Sequence, residues 1–107
     1  MKVSIILVNY NSSALLRQCL KSIYEQTKEI PFEIIVVDNA SSDNSREIVC
    51  SEFSNVQLIK SAENLGFSRG NNLGASLAKG TYLLFLNTDT ILFENSIKVL
   101  AGFLDKH

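Results

Sequence analysis

Carboxylate and amide side chains directly follow three of the most apolar segments of the chain. Such groups hydrogen-bond hydroxyls and base edges, and carboxylates also bind hard divalent cations. Each residue alone could be a turn former or a helix cap, since Asn and Asp are frequent in both. Their recurrence at equivalent positions indicates a binding site. These residues are Asn9 and Asn11, which flank Tyr10, then Asp38 and Asn39, and finally Asn87 and Asp89.

A phosphate-bearing ligand at this site would need a counter-charge, because neither of the common glycine-rich phosphate loops occurs in the chain. A divalent cation held by Asp89 would serve, since hard cations commonly bridge carboxylate and phosphate oxygens. Arg69 is a second candidate, because its guanidinium offers a fixed fork of donors to a phosphate or a base edge. The alternative for Arg69 is a solvated cation on a helix surface.

The positions of these residues depend on an alternation of strands and helices. Continuous apolar runs predict strands at 3–8, 34–37, 56–59 and 82–86, and amphipathic segments between and after them predict helices. This order is typical of an α/β fold with a mostly parallel sheet and helices on both faces. In such sheets ligands bind at the carboxyl ends of the strands, where the polar residues lie.

Local signals place the ends of the predicted helices. Ser12 or Ser13 is expected to cap the first helix, and Ser42 or Asp43 the second. The third helix is predicted at 67–79, with a left-handed glycine directly after it. Its residues Gly70, Gly74 and Ala78 would form one small face that approaches the sheet or a ligand closely.

The composition bounds the class of protein. The 107 residues suit one domain, and a net charge of -1 argues against sequence-independent nucleic-acid binding. No apolar run approaches the length of a membrane span, and no signal peptide is evident. Cys19 and Cys50 lie among apolar residues, which predicts two buried, reduced thiols and a cytoplasmic protein.

Four segments together resemble family 2 glycosyltransferases, which have the Rossmann-like GT-A fold. The resemblance covers nearly the whole chain, and four motifs in the same order are far more specific than any one. The segments are VSIILVNYN at 3–11, EIIVVDNASSD at 33–43, NLGFSRGNN at 64–72 and LFLNTD at 84–89.

The resemblance implies a role for each segment. The first would flank the nucleobase, with Tyr10 as an aromatic wall, and Asp38 would accept a hydrogen bond from the pyrimidine ring N–H. The third would close over the base and ribose, and the last aligns with the D-x-D motif that contacts the ribose and a Mg²⁺ or Mn²⁺ ion. The residues implied in nucleotide-sugar binding are Asn9, Tyr10, Asn11, Asp38, Asn39, Asn64, Gly66, Arg69, Asn72 and Asn87, with Asp89 at the metal.

The sequence departs from the family pattern in two ways. Asn87 replaces the first acid of the D-x-D motif, so Asp89 would be its only carboxylate. This feature is similar to a rhamnosyltransferase-like subgroup, which implies a dTDP-linked donor beside the more general UDP-linked one. The second departure is that no residue matches the general base of the acceptor-binding half. Residues 1–107 are therefore expected to be the donor-binding, amino-terminal part of a GT-A domain, inactive alone.

The implied function is inverting transfer of a sugar to the hydroxyl of a glycan or lipid-linked acceptor, in polysaccharide or glycoconjugate synthesis. The full enzyme could act at the inner face of the membrane, and Phe93, Ile97 and Leu104 could mediate self-association. One alternative, a phospho-receiver domain with Asp38 as phosphoacceptor, would need an acidic pair after the first strand. Others are a non-catalytic nucleotide-sugar-binding module and a nucleotidyltransferase, although the latter needs a glycine-rich loop that is absent.

Overall fold

Strands and helices alternate along the chain, as the sequence predicts. The structure is a computed structural model that describes residues 1–106. The predicted elements are all present, and most boundaries differ by only one or two residues. In chain order they are β1 (Val3–Asn9), α1 (Ser13–Gln26), β2 (Phe32–Asp38), α2 (Ser45–Glu52), β3 (Gln57–Lys60), α3 (Phe67–Ser76), β4 (Tyr82–Leu86) and α4 (Ser96–Lys106).

The strands form one parallel sheet in the order β3-β2-β1-β4. The chain runs outward from β1 to β3 and then returns to the other side of β1 with β4. The strand order therefore reverses between β1 and β4, which is where open α/β sheets bind ligands. The register aligns Asn9 with Asp38, so β1 and β2 end side by side.

Helices cover both faces of the sheet, in agreement with the prediction. Ile5 and Leu7 of β1 point into a core that also contains Leu16 of α1, Val49 of α2 and Ile97 of α4. Full burial of an aliphatic side chain of this size stabilises the fold by about 1.5–3 kcal/mol. Ile97 lies in this core and is 2% exposed. Its proposed part in self-association is therefore wrong.

The opposite face of the sheet packs against α3 through glycines. A Cβ atom at Gly74 would lie 2.6 Å from Cγ2 of Ile6, and one at Gly70 would lie 3.0 Å from both γ carbons of Val8. The predicted small face is thus confirmed for the two glycines, which bring α3 close to β1. Ala78 lies beyond the helix, which ends at Ser76.

The predicted glycine stop of α3 at Gly80 is wrong. The helix ends three residues before Lys79, and Gly66 is the only glycine with positive φ among residues 1–106. Gly80 is required for a different reason, because a Cβ atom there would lie 2.6 Å from the backbone nitrogen of Ser4. Its own N–H donates to Oγ of Ser4 at 2.8 Å, which fixes the start of β4 beside β1.

The cap of α1 differs from the prediction, and that of α2 agrees only in part, because Asn44 stands at its N-cap position while the predicted Asp43 accepts its first N–H. Neither Ser12 nor Ser13 caps α1 with its side chain. The carboxylate of Asp43 accepts the N–H of Ser13 at 3.1 Å, and its other oxygen accepts the N–H of Ser45 at 3.0 Å. One acid from the second loop therefore serves the first residue of both helices, which sequence spacing alone does not reveal.

Of the two cysteines, Cys19 is buried as predicted, whereas Cys50 is exposed, which contradicts the prediction. Ile48 and Val49 occupy the inner face of α2, so Cys50 points outward. Burial, and then the negative charge of Asp89, raise the pKa of the Cys19 thiol to about 11. Within residues 1–106, the helices are all too short or too polar to cross a bilayer.

Candidate functional site

A cleft of about 430 Å³ opens at the carboxyl edge of the sheet, between the loops that follow β1 and β4 and the start of α3. It lies at the reversal of strand order, as the sequence predicts for a ligand site. The cleft unites residues from all of the implied segments. The predicted site residues that line it are Tyr10, Asn39, Asn64, Gly66, Asn87 and Asp89.

Five predicted site residues do not line this cleft. Asn9, Asn11 and Asp38 form hydrogen bonds beneath or beside it, and Arg69 and Asn72 are exposed on α3. Sequence reasoning also missed lining residues, although three of them, Val8, Phe67 and Thr88, fall inside the quoted segments. The missed residues are Val8, Ser12, Leu15, Phe67 and Thr88.

Asp38 is buried and fully engaged by neighbouring groups, with only 1% of the residue exposed. One oxygen accepts from Nδ2 of Asn9 at 3.0 Å and from Oγ of Ser41 at 2.6 Å. The other accepts from the backbone N–H of Ser41 at 3.1 Å and from Nε of Arg46 at 2.6 Å. Burial alone would raise the pKa of this carboxyl, but the hydrogen bonds from Ser41, Asn9 and Arg46 outweigh it and lower the pKa.

Arg46 completes this network and was not predicted. It is the second residue of α2, and its Nη2 donates to the carbonyl of Ser61 at 2.7 Å while its Nε binds Asp38. A cation in the first turn of a helix opposes the helix dipole. That unfavourable position was the available signal that Arg46 has another partner.

Asn11 connects the loops that follow β1 and β2. Its φ of 49° is in the left-handed region, which Asn tolerates better than most residues. Its Oδ1 accepts the N–H of Ser42 at 2.7 Å, the hydroxyl of Ser42 at 3.3 Å and the N–H of Asp43 at 3.3 Å. Asn11 therefore shapes the rim of the site from outside the cleft.

The loop after β4 is much less constrained. Among residues 1–106, the side chains of Asn87, Thr88 and Asp89 have no hydrogen-bonding partner, and Asn87 and Asp89 are exposed. The carbonyl of Asn87 accepts from the N–H of Thr90 at 3.0 Å and weakly from Sγ of Cys19 at 3.9 Å. The side-chain oxygens of this loop are thus free for a ligand.

Two aromatic rings face the solvent around the cleft. Tyr10 is 51% exposed and Phe67 is 57% exposed, and they come from the loop after β1 and the first turn of α3. Exposed rings that line a cleft offer stacking surfaces for the flat face of a nucleobase. This arrangement, with the free side-chain oxygens of the loop after β4 in the same cleft, suits a ligand that joins a base to polar groups.

Residues 4–107 match the family model for glycosyl transferase family 2. The chain belongs to this family. Its membership and the deep burial of Asp38 both argue against the phospho-receiver alternative, since a phosphoacceptor must be reached by the phosphoryl donor.

One sequence relative and the solved structures of two other proteins illustrate the similarity. Glycosyltransferase GlyG of Streptococcus pneumoniae serotype 4 is 35% identical over 102 residues, which cover 92% of this chain and 33% of GlyG. The crystal structure of Staphylococcus aureus TarS 1–349 covers the whole chain at 30% identity with a TM-score of 0.89, and it has also been solved with UDP and UDP-GlcNAc. A mannosyltransferase of Pyrobaculum calidifontis, solved with GDP-Man and Mn²⁺, covers 96% of the chain at 25% identity with a TM-score of 0.78.

The family 2 chain spans only part of these proteins. It corresponds to 33% of GlyG, 33% of the TarS 1–349 chain and 31% of the mannosyltransferase chain. These likenesses establish the GT-A fold. The resemblance to a rhamnosyltransferase-like subgroup remains a prediction.

The residues of the cleft fit a metal site in which the protein supplies some of the ligands and the substrate and water supply the rest. Residues 1–106 contain no cluster of three acidic, His or Cys side chains suited to a metal. Asp89 is the only carboxylate among the described lining residues. Magnesium-type sites often use one or two carboxylates together with substrate phosphates and water. The free Asp89 carboxylate, with neutral oxygens on Asn87 and Thr88, matches that pattern.

Proposed function

We propose that this chain is the donor-binding part of a glycosyltransferase that takes a nucleoside-diphosphate sugar. The observation that supports this most directly is the cleft at the strand reversal, whose lining includes Tyr10 from the loop after β1 and Asp89 from the loop after β4. The base would stack on Tyr10, and the diphosphate would lie towards Asn87 and Asp89. TarS, a poly(ribitol-phosphate) beta-N-acetylglucosaminyltransferase, supports a UDP-linked donor and an acceptor in cell-wall polymer synthesis.

The proposal assigns Asp89 to a divalent cation. A carboxylate that faces a diphosphate would otherwise repel it, because like charges interact unfavourably at short range. A bound Mg²⁺ or Mn²⁺ would neutralise the charge that develops on the departing diphosphate. Asn87 would hydrogen-bond a ribose hydroxyl through its neutral amide.

The proposal keeps transfer with inversion, with a general base supplied from outside this chain. For Asp38, the proposal places its contacts within the protein before a direct contact with the base. Its carboxylate already accepts four hydrogen bonds, so direct contact with a pyrimidine N–H would require one of these partners to move. The predicted base contact by Asp38 and the predicted contacts by Asn9, Asn11, Arg69 and Asn72 stay predictions. Self-association, now through exposed groups such as Phe93 and Leu104, and a cytoplasmic location also stay predictions.

Calorimetric titration of UDP, dTDP and GDP, with and without Mn²⁺, tests the proposal. We expect UDP or dTDP to bind, with affinity that rises in Mn²⁺. The variant Asp89→Ala should lose about tenfold or more of the Mn²⁺-dependent affinity, since it removes the only carboxylate among residues 1–106 that lines the cleft. Glu94→Ala, which removes an exposed acid outside the cleft, is the matched control and should bind like the wild type.

The outcomes separate two parts of the proposal. If none of the three nucleotides binds, nucleotide-sugar recognition by this chain is rejected. If they bind equally well with and without Mn²⁺, and Asp89→Ala has no effect, the metal role is rejected while the donor-binding role stands.

A further inference from the structure

One wall of the cleft is an exposed segment that two adjacent residues at the end of β2 hold at both ends. This wall segment comprises residues 61–66, which connect β3 to α3. Asn64 and Gly66 within it line the cleft, and residues 62–64 are exposed. A segment with so little buried surface depends on its terminal contacts for a defined position.

The first end is fixed by Asp38. The carbonyl of Asp38 accepts the N–H of Ser61 at 2.9 Å. The Asp38 carboxylate also binds Arg46, whose Nη2 donates to the carbonyl of Ser61 at 2.7 Å. Both backbone groups of Ser61 are therefore connected to the end of β2.

The second end is fixed by the side chain of Asn39. Its Nδ2 donates to the carbonyl of Gly66 at 3.1 Å, and its Oδ1 accepts the N–H of Leu65 at 3.4 Å. Asn39 is only 2% exposed, and its backbone N–H donates to the carbonyl of Asn9 at 2.8 Å. The side chain is thus held at the floor of the cleft by the strand pair β1 and β2.

We propose that Asn39 is a positioning residue, whose carboxamide sets the wall segment at the distance that the nucleotide requires. This inference rests on the proposed function and refines it. Asn39 was predicted to bind the nucleotide sugar, but its carboxamide is buried and already bonds Leu65 and Gly66, so it acts through them. Gly66, with a φ of 79°, lets the chain turn from this contact directly into α3. Because the wall segment is already fixed before binding, less conformational entropy is lost when the ligand binds, which favours affinity.

The variant Asn39→Asp tests this role with a nearly unchanged side-chain shape. The new carboxylate can still accept from Leu65, but it places an oxygen against the carbonyl oxygen of Gly66, where Asn39 donates. We expect UDP affinity, measured by calorimetry with Mn²⁺, to fall about tenfold or more, as loss of one well-placed hydrogen bond of about 1.4 kcal/mol implies.

The chain offers a matched control in Asn95. Its Oδ1 accepts the N–H of Lys28 at 3.3 Å and its Nδ2 donates to the carbonyl of Lys28 at 3.0 Å, so it makes the same kind of paired contact away from the cleft. Asn95→Asp should lower the urea midpoint for unfolding while UDP affinity stays within about twofold of the wild type. Equal loss of UDP affinity in both variants, or wild-type affinity in Asn39→Asp, would overturn the proposal.

Amide hydrogen exchange on the wild type provides a test that does not depend on a variant folding. The Leu65 N–H should exchange more slowly than the Asn64 N–H, because only the former donates to Asn39 in this segment. Equal exchange rates at the two positions would reject the contact itself. Failure of the wild type to bind UDP would instead count against the proposed function, while slow Leu65 exchange would still support the positioning of the wall.

Discussion

Two acidic residues at the cleft have opposite surroundings: Asp38 lies beneath its β2 side, and Asp89 is part of its lining on the β4 side. At the end of β2, Asp38 is buried and accepts four hydrogen bonds from three residues. At the end of β4, Asp89 is exposed, and its carboxylate has no hydrogen bond within residues 1–106. Asp38 is the last residue of β2 and Asp89 lies in the loop after β4, so both acids lie at the carboxyl edge of the same sheet. One therefore builds the site, and the other is available to a ligand.

The β2 side of the cleft is therefore ordered by contacts within the chain, whereas the β4 side depends on a ligand or a cation for its contacts. The β2 side is rigidified by contacts that exist without a ligand, which favours recognition of a flat base at low entropic cost. The β4 side carries an uncompensated negative charge, which is unfavourable beside a diphosphate unless a cation binds between them. The comparison predicts that removing the Asp38 carboxylate mainly lowers the free energy of unfolding, whereas removing the Asp89 carboxylate mainly weakens metal-dependent nucleotide binding.

Removing the Asp38 carboxylate should produce the largest effect on stability. Asp38→Ala removes the acceptor of Arg46 Nε and the nearer acceptor of Asn9 Nδ2, which keep only the Ser61 carbonyl and the Ser41 hydroxyl as partners. We expect the free energy of unfolding to fall by about 2–3 kcal/mol, because hydrogen bonds to a charged group contribute about 1.5–3 kcal/mol and Arg46 is only partly buried. Urea denaturation of the variant and the wild type measures the difference.

Asp89→Ala is the paired control for this prediction, since it removes an exposed carboxylate without protein partners. Its free energy of unfolding should lie within about 0.5 kcal/mol of the wild type. Comparable destabilisation by the two alanine variants would break the proposed division between the two sides of the cleft.

Acid should weaken the same network less than deletion does. The pKa of Asp38 is lowered in the folded state, because the hydrogen bonds from Ser41, Asn9 and Arg46 outweigh the opposing effect of burial. The folded state thus binds the proton less tightly than the unfolded state, so this contribution to stability is complete above the ordinary pKa of 3.8 and is lost as the pH falls through the lower folded pKa.

Measuring the free energy of unfolding from neutral pH down to acid tests this sign. Other acids with lowered pKa values, such as Asp43 and Glu33, will keep part of the slope in any variant. Asp38→Asn should therefore be less stable at neutral pH and show a shallower acid slope than the wild type. An unchanged slope would mean that Asp38 does not contribute to acid sensitivity.

Sequence patterns predicted the frame of the site better than its contacts. Apolar runs gave the four strands, and their parallel order brought Tyr10, Asn39 and Asp89 to one cleft. The sequence patterns could not predict which polar groups hydrogen-bond to each other, because the partners are side chains far apart in sequence. Asp38 and Arg46 meet only because the first turn of α2 lies over the end of β2.

The corrected details have the same origin. Gly80 was expected at a helix end because Gly is common there, whereas its tertiary contact with Ser4 decides its identity. Cys50 was expected in the core because its neighbours in sequence are apolar, but it lies on the exposed face of α2, opposite Ile48 and Val49. Local composition thus predicted element types well, whereas packing partners required the coordinates.

A smaller loss of stability than for Asp38 should follow from removing the contacts of Asn11 with the loop after β2. Asn11→Gly preserves the freedom to adopt a φ of 49° but removes the oxygen that accepts from Ser42 and Asp43. We expect a loss of about 1 kcal/mol in the free energy of unfolding, less than for Asp38, because exposed donors can bond to water instead.

Asn44→Gly gives the baseline for that measurement. Asn44 is exposed in the loop after β2, which Asn11 contacts, and its side chain makes no cap hydrogen bond to α2. Its replacement by Gly should therefore change the free energy of unfolding by only about 0.3 kcal/mol. A larger loss in Asn11→Gly than in Asn44→Gly isolates the side-chain contacts from the added flexibility of glycine. Equal losses would assign the effect to backbone entropy, and the rim would then contribute no more to the preorganised side than an ordinary loop does.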